Sequence, residues 1–305
     1  MLAAAPGAAY LLVGLSLAFG VSARGFATAA NLTNVVLQAS VLTVLALGMT
    51  LVMLTEGIDL SMGPVLGLAG VAAGLLLVAG WPLALAMTVA LSIGVAFGVL
   101  NGVLVACVGL PAFVVTLGTF GMAQGLAMVL TEGNSVTGLP RVARWFNDGV
   151  VLGLPVPIWA TAGLFGVTWV LLYHTRFGRY VFALGGNRRA LALMGVSVRA
   201  WHVAVYALAG TLTAAASFLM TARMNAAHPT IGVGLEFDAI AAAVLGGTSF
   251  EKGRGGIAGT ALGALAVGVL RNGLNLVGLS TEWQVAVVGV VIIAAVGLDA
   301  LRGLA

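Results

Sequence analysis

The chain has 305 residues, 61% of them hydrophobic and only 7% charged, with 13 basic against 9 acidic side chains and a formal net charge of +4. A soluble domain needs about a quarter of its residues charged, so a soluble fold is excluded and no nucleic-acid partner is expected. Apolar runs of about twenty residues without period-2 alternation match helices crossing about 30 Å of hydrocarbon, where every backbone polar group must be satisfied within a helix or a closed barrel. The expected fold class is an all-α integral membrane protein in a lipid bilayer, forming one domain over 1–305, and the 44 glycines suit close helix packing in lipid.

The opening MLAAAPGAAYLLVGLSLAFGVSARG has a small-residue site near Ala23 but lacks the basic start of a signal peptide, so a retained first helix is expected. Apolar segments then fall at 7–23, 35–54, 60–80, 83–106, 112–131, 155–174, 200–221, 238–250, 256–274 and 283–301, about ten in all, with the eighth short for a span and suited to a broken helix. Ten crossings put both termini on one side. The segment 176–199 (RFGRYVFALGGNRRALALMGVSVR) carries five arginines and no acid, and because short cytoplasmic loops collect Lys and Arg, this loop and both termini are assigned to the cytoplasm. That places Arg176, Arg179, Arg188, Arg189, Arg199, Lys252, Arg254 and Arg302 inside, and Arg24, Arg141, Arg144, Arg223 and Arg271 outside.

A topology anchor needs charge alone, whereas this loop also holds an apolar, aromatic stretch, Gly-Gly-Asn and then RRALALMG, a pattern for a short amphipathic helix along the membrane face. Docking of a partner is therefore expected there. The longest polar stretch, 132–156, faces outward and reads as a small ordered cap that seals the pore mouth or receives an external protein. The second to fifth and the seventh to tenth segments begin an odd number of crossings apart, as inverted-topology repeats do. Each block opens with a Gly-interrupted acidic break, LTEGIDLSMG in one and HPTIGVGLEFD in the other.

Carboxylates in a membrane normally face a cavity or a partner, so Glu56, Asp59 and Ser61 of the first break suit a polar path. Asp59 and Ser61 equally suit capping of the helix that starts near Leu60. In the fifth segment, Gly118, Gly121 and Gly125 share one side, fit for tight packing, while Thr116, Thr119, Phe120 and Gln124 share the other. Hydroxyls, an amide and a ring suit a path for a neutral, hydroxyl-rich molecule, and equally suit interhelical hydrogen bonds. Gly255, Gly259 and Gly263 read as packing; His174, His202 and His228 lack ligand spacing, so no metal site is expected, and the single cysteine, Cys107, is given no role. The only lysine, Lys252, precedes Gly253, so the Gly-Lys-Ser/Thr of a phosphate-binding loop is absent, and with it that way of binding ATP.

GMTLVMLTEGIDLSMGPVLGLAG, LPAFVVTLGT, HTRFGRYVFALGGN, ARMNAAHPTIGVGLEFDAIAAAVLGGTSF and NGLNLVGLS resemble, in order and spacing, the blocks of the ribose-type permease subunits of bacterial ABC sugar importers, a family related to branched-chain amino-acid permeases. The resemblance implies a multi-pass inner-membrane pore subunit, not itself an enzyme, that works by alternating access. Its implied partners are a second permease copy or paralogue, a cytoplasmic ABC ATPase that holds the ATP and Mg, and a periplasmic sugar-binding protein. It makes 176–199 the coupling loop, with Tyr180, Phe182, Leu184, Gly185, Gly186, Asn187, Arg188 and Arg189 as its core. Where the family carries an acid and a small residue after Gly-Gly-Asn, this chain has Arg188 and Arg189, which points to a dedicated ATPase with acids facing them. An ion-coupled secondary transporter using Glu56 and Asp59 is the alternative, and a gated channel a third reading.

Overall fold

The computed structural model describes residues 5–250 and 253–303; Lys252 lies outside them. The described residues form thirteen helices and one two-residue hairpin. In chain order they are α1 (Ala5–Ser22), α2 (Ala29–Met53), α3 (Met62–Val78), α4 (Leu83–Val103, continued by a π-turn, Leu104–Val108), α5 (Ala112–Thr131), α6 (Arg141–Asp148), strands β1 (Val150–Val151) and β2 (Leu154–Pro155), α7 (Val156–His174), α8 (Arg176–Gly186), α9 (Arg188–Leu193), α10 (Val198–Met224), α11 (Leu235–Leu245), α12 (Ile257–Leu276) and α13 (Thr281–Gly303).

Every apolar segment of the sequence is helical, and α2, α4 with its π-turn, α5, α7, α10 and α12 are each long and apolar enough to cross a bilayer. The core forms around α2, whose residues 39–53 are all buried, against α10, α11 and α12. By contrast α4, α5 and α7 turn most of their surface outward, as helices solvated by lipid do. Small residues set the closest approaches: a Cβ on Gly94, Gly98 or Gly102 of α4 would strike the α10 backbone at Gly210, Tyr206–Ala207 or Val203. Gly259 and Gly263 of α12 meet Gly246 and the Ala242 carbonyl in the same way, so the stripe read as packing does pack.

Neighbour relations recur when α2–α5 are exchanged with α10–α13. α4 lies on α10 as α12 lies on α2; α3 packs on α4 as α11 packs on α12; α3 meets α10 as α11 meets α2. Within this frame α3, of 17 residues, and α11, of 11 residues, are partial helices. At 1.5 Å per residue the second is about half of a bilayer's hydrocarbon depth.

The loop 132–156 is ordered as α6 and the hairpin, at the bundle end where α7 starts; α6 packs on α7 and α10. A backbone bridge between Val136 and Ala227 ties this cap to the second acidic break. At the opposite end the segment 176–199 is two helices rather than one. Thr175 caps α8 by accepting from the Phe177 amide at 3.1 Å. Asn187 then ends α8 and, by accepting from the Ala190 amide at 2.9 Å, begins α9.

Candidate functional site: two broken helices and the segment beneath them

Both acidic breaks are sharp reversals. After α2, Glu56 takes a left-handed conformation with φ 63°, which costs a non-glycine residue about 1–2 kcal/mol and turns the chain back into the bundle. After α10, Asn225 does the same with φ 50°, as an asparagine ending a helix commonly does. The returning segments then meet. Gly63 at the start of α3 and Gly232 before α11 touch backbone to backbone, and the Glu236 carboxylate fills the space a Cβ on Gly63 would need. From this meeting point the partial helices run apart: α3 passes Pro229, Thr221 and Ala227 toward the capped end, while α11 ends at Gly246 against Gly259 at the other.

Polar side chains stitch the first break to its neighbours. Asp59 Oδ1 accepts from the Ser61 amide at 2.9 Å and from its hydroxyl at 2.6 Å, so the pair does brace the start of α3. Asn101 of α4 donates to Ser61 Oγ at 2.9 Å and accepts from Thr119 of α5 at 2.7 Å, and Thr116 donates to the Ile58 carbonyl at 3.3 Å. Asp59, Ser61, Asn101, Thr116 and Thr119 are all buried. Gln124 donates instead to the Pro229 carbonyl of the second break at 3.3 Å, and Phe120 is half-buried beside this face. The hydroxyl face of α5 thus makes interhelical bonds within the chain. Its glycine face, expected to pack, meets nothing: a Cβ on Gly118, Gly121 or Gly125 has no neighbour within 4 Å.

Sequence reasoning missed three members of this region. Asn101 was visible as a lone amide inside an apolar span. Glu236 and Asp238 lie in the quoted second break, yet nothing in LEFD says which acid is paired. Glu236 accepts only locally, from the Gly234 amide at 3.0 Å, while Asp238 accepts from Arg271 of α12 at 2.7 Å. Arg271, assigned to the outer side from the sequence, sits inside α12 as the partner of a buried carboxylate.

Of the residues expected to form the coupling core, four face inward. Tyr180 stacks on Trp201 with ring centres 4.8 Å apart, Phe182 meets Tyr173 at 6.3 Å, Leu184 is buried, and Gly185 backs onto the Leu54 carbonyl and Gly253. Gly186, Asn187, Arg188 and Arg189 are exposed. The apolar side chains that project are Leu193, 89% exposed, and Met194, 70% exposed, at the end of α9, neither of which was singled out from the sequence. Arg188, though exposed, reaches back to the bundle: its Nη2 donates to the Thr55 carbonyl at 2.5 Å and its Nε to the Leu184 carbonyl at 3.3 Å. Beside it a cavity of about 380 Å³ is lined by Glu56, Gly57, Pro111, Arg188 and His202, among others.

Residues 31–296 match the family model described as the permease component of the branched-chain amino acid transport system. The chain belongs to this permease family. The permease is 45% identical over 278 residues to the ribose import permease protein RbsC of Escherichia coli K12, covering 90% of this chain and 87% of that one. It is 42% identical over 271 residues to the ribose import permease protein RbsC of Bacillus subtilis, covering 88% and 84%. With the D-allose transport system permease protein AlsC of Escherichia coli K12 it shares 37% over 297 residues, covering 97% and 91%. These relatives are permease subunits, and the permease is a multi-pass membrane protein of the same kind.

Replacing Asn101 with leucine tests the stitched cluster of the permease. Ser61 and Thr119 each lose a partner, and interhelical bonds of this type contribute about 0.6 to 1.7 kcal/mol each. The unfolding midpoint in detergent should fall, and Asn101→Asp, which keeps the acceptor for Thr119, should fall less in mildly acidic buffer than at pH 8.

Proposed function

We propose that this permease is the pore-forming subunit of an ATP-driven, binding-protein-dependent importer of a monosaccharide or related polyol in a bacterial inner membrane. The observation that carries this reading is the 45% identity to a ribose import permease across 90% of the chain. Two copies, or this chain and a paralogue, form the pore. A cytoplasmic ABC ATPase, which holds the ATP and Mg, docks on the α8–α9 segment, and a periplasmic sugar-binding protein docks at the capped end. The exposed Leu193 and Met194, flanked by Arg189, fit an ATPase cleft better than the inward-facing Tyr180, Phe182 and Leu184, which seat the segment on the bundle.

Alternating access follows from two inverted repeats, α2–α5 and α10–α13, whose partial helices meet near mid-membrane and offer glycine-rich backbone rather than a gripping pocket. The path runs along α5, past Phe120 and Gln124, with its glycine face left for the opposing subunit; Glu56, Asp59, Ser61, Thr116 and Thr119 line or brace it. Weak binding suits a pore that must release its cargo, so selectivity resides in the binding protein.

The test is uptake of radiolabelled D-ribose and of other monosaccharides into proteoliposomes holding the permease and its cognate ATPase. Uptake should require internal ATP and external binding protein together. Accumulation driven by a proton or sodium gradient with neither present would replace this reading by a secondary transporter built on Glu56 and Asp59.

A further inference from the structure

The segment that follows Gly-Gly-Asn begins with Arg188 and Arg189. Arg188 and its neighbour Arg189 are both exposed, and what sets Arg188 apart is its hydrogen bonding. The Arg188 guanidinium reaches back to two carbonyls at once, Thr55 O at 2.5 Å and Leu184 O at 3.3 Å. Thr55 lies two residues past the end of α2, and Leu184 lies in the last turn of α8. Both carbonyls therefore belong to the electronegative C-terminal end of a helix, where orphan acceptors and the helix dipole favour a cation. One side chain joins two such ends. A carboxylate at position 188 would face the same two carbonyls and be repelled by both.

What Arg188 holds is the start of the first break. The Thr55 hydroxyl donates to Val52 O at 2.8 Å and lies 3.4 Å from His202 Nε2. The next residue is Glu56, with its left-handed turn, followed by Gly57, where a Cβ would lie 2.5 Å from the Tyr206 hydroxyl. Asp59 and Ser61 follow, bonded to Asn101 of α4 and through it to Thr119 of α5. Gly185, three residues before Arg188, is pressed against the adjoining Leu54 carbonyl. A displacement of α9 therefore reaches residues 54–55 by two routes, backbone contact at Gly185 and the charged bond of Arg188, and only the second is able to pull.

We infer that Arg188 is a positioning residue of the transport cycle: a clasp that ties the cytoplasmic segment to the end of α2, so that movement of α9 draws on the polar break at 55–61. The inference rests on the importer reading above. It assigns Arg188 to transmission within the permease and leaves the ATPase contact to Arg189, Leu193 and Met194.

The experiment uses the full complex of permease, cognate ATPase and sugar-binding protein in proteoliposomes, with D-ribose as probe, and compares Arg188→Gln, Arg188→Lys and Arg189→Gln with the parent. For Arg188→Gln, the ATPase should still co-purify and hydrolyse ATP, while the sugar moved per ATP falls about tenfold, a typical coupling free energy between sites. Arg188→Lys, which keeps a cation able to reach one carbonyl, should recover part of that ratio. Arg189→Gln should weaken ATPase retention, the loss that Arg188→Gln should not show. An Arg188→Gln complex that transports with the parent's ratio overturns the clasp, and so does one that loses its ATPase, which would make Arg188 a docking residue. A parent complex with no ATP-dependent uptake of any monosaccharide overturns the importer reading, and the clasp with it.

Discussion

Replacing Gly98 by valine should abolish recovery of folded permease, or lower its unfolding midpoint in detergent by roughly 5–10 °C, whereas Gly118→Ala should leave it unchanged or slightly raised. A Cβ on Gly98 would overlap the Tyr206 carbonyl and crowd the Ala207 Cα at 2.9 Å. Those are backbone atoms of α10, which move only if the helix moves. Both flanking contacts forbid that adjustment, since Gly94 meets the Gly210 backbone one turn away and Gly102 meets Val203 on the other side. Forcing a side chain into such packing costs about 3 kcal/mol, the upper part of the usual range. In lipid no hydrophobic term offsets it, because helix association there rests on close contact itself. Gly118 offers the opposite case, with no atom within 4 Å of a built Cβ, so alanine gains helix propensity of about 1 kcal/mol and loses nothing within the chain. The measurement is size-exclusion recovery and thermal unfolding of the two variants in one detergent. Equal midpoints would mean that the α4–α10 seam is not what holds the bundle.

The same contrast separates what the sequence makes legible from what it does not. Runs of apolar residues located ten of the thirteen helices, all but α6, α8 and α9, because solvation by lipid needs only length and composition. Glycines at spacing four mark close contact, and Gly259 and Gly263 were read that way correctly. Gly94, Gly98 and Gly102 carry the same signal and went unread, although they line the α4–α10 seam. Gly118, Gly121 and Gly125 also sit on one helix face, yet they touch nothing in the chain. Periodicity says that a face exists and not where it points: on α5 the polar side turned inward and the small side outward.

The breaks show a second limit. Both acidic, glycine-interrupted stretches were visible as interruptions, and the structure brings them together at Gly63 and Gly232. Their contact depends on how α2 and α10 are packed, which is a property of the whole bundle and of no local motif. Partner assignment was likewise hidden. The arginine-rich segment stood out by its charge, but charge alone made Arg188 and Arg189 equivalent. Only the three-dimensional position of Thr55 O and Leu184 O separates them.

Arg271→Met should destabilise the permease by about 3–5 kcal/mol, the cost of leaving a buried charge without its partner, and Asp238→Asn combined with Arg271→Gln should recover most of it. Asp238 is 1% exposed and lies in the first turn of α11, while Arg271 is in the last two turns of α12. Each charge thus complements the dipole of its own helix, and their 2.7 Å bond fixes a partial helix too short to be held by spanning the bilayer. Reciprocal amide bonds of 2.9 Å between Asn31 and Asn272 extend the fastening to α2. With methionine at 271, Asp238 must either remain charged among apolar helices or take up a proton, and both carry a cost in hydrocarbon. The double amide variant keeps one donor and one acceptor at the same place, so the bond survives without either charge. Thermal unfolding of parent, single and double variants, followed by circular dichroism, reads the difference directly. If Arg271→Met unfolds with the parent, α11 is held by its glycine and alanine contacts with α12 alone and the ion pair contributes nothing to the meeting of the two breaks.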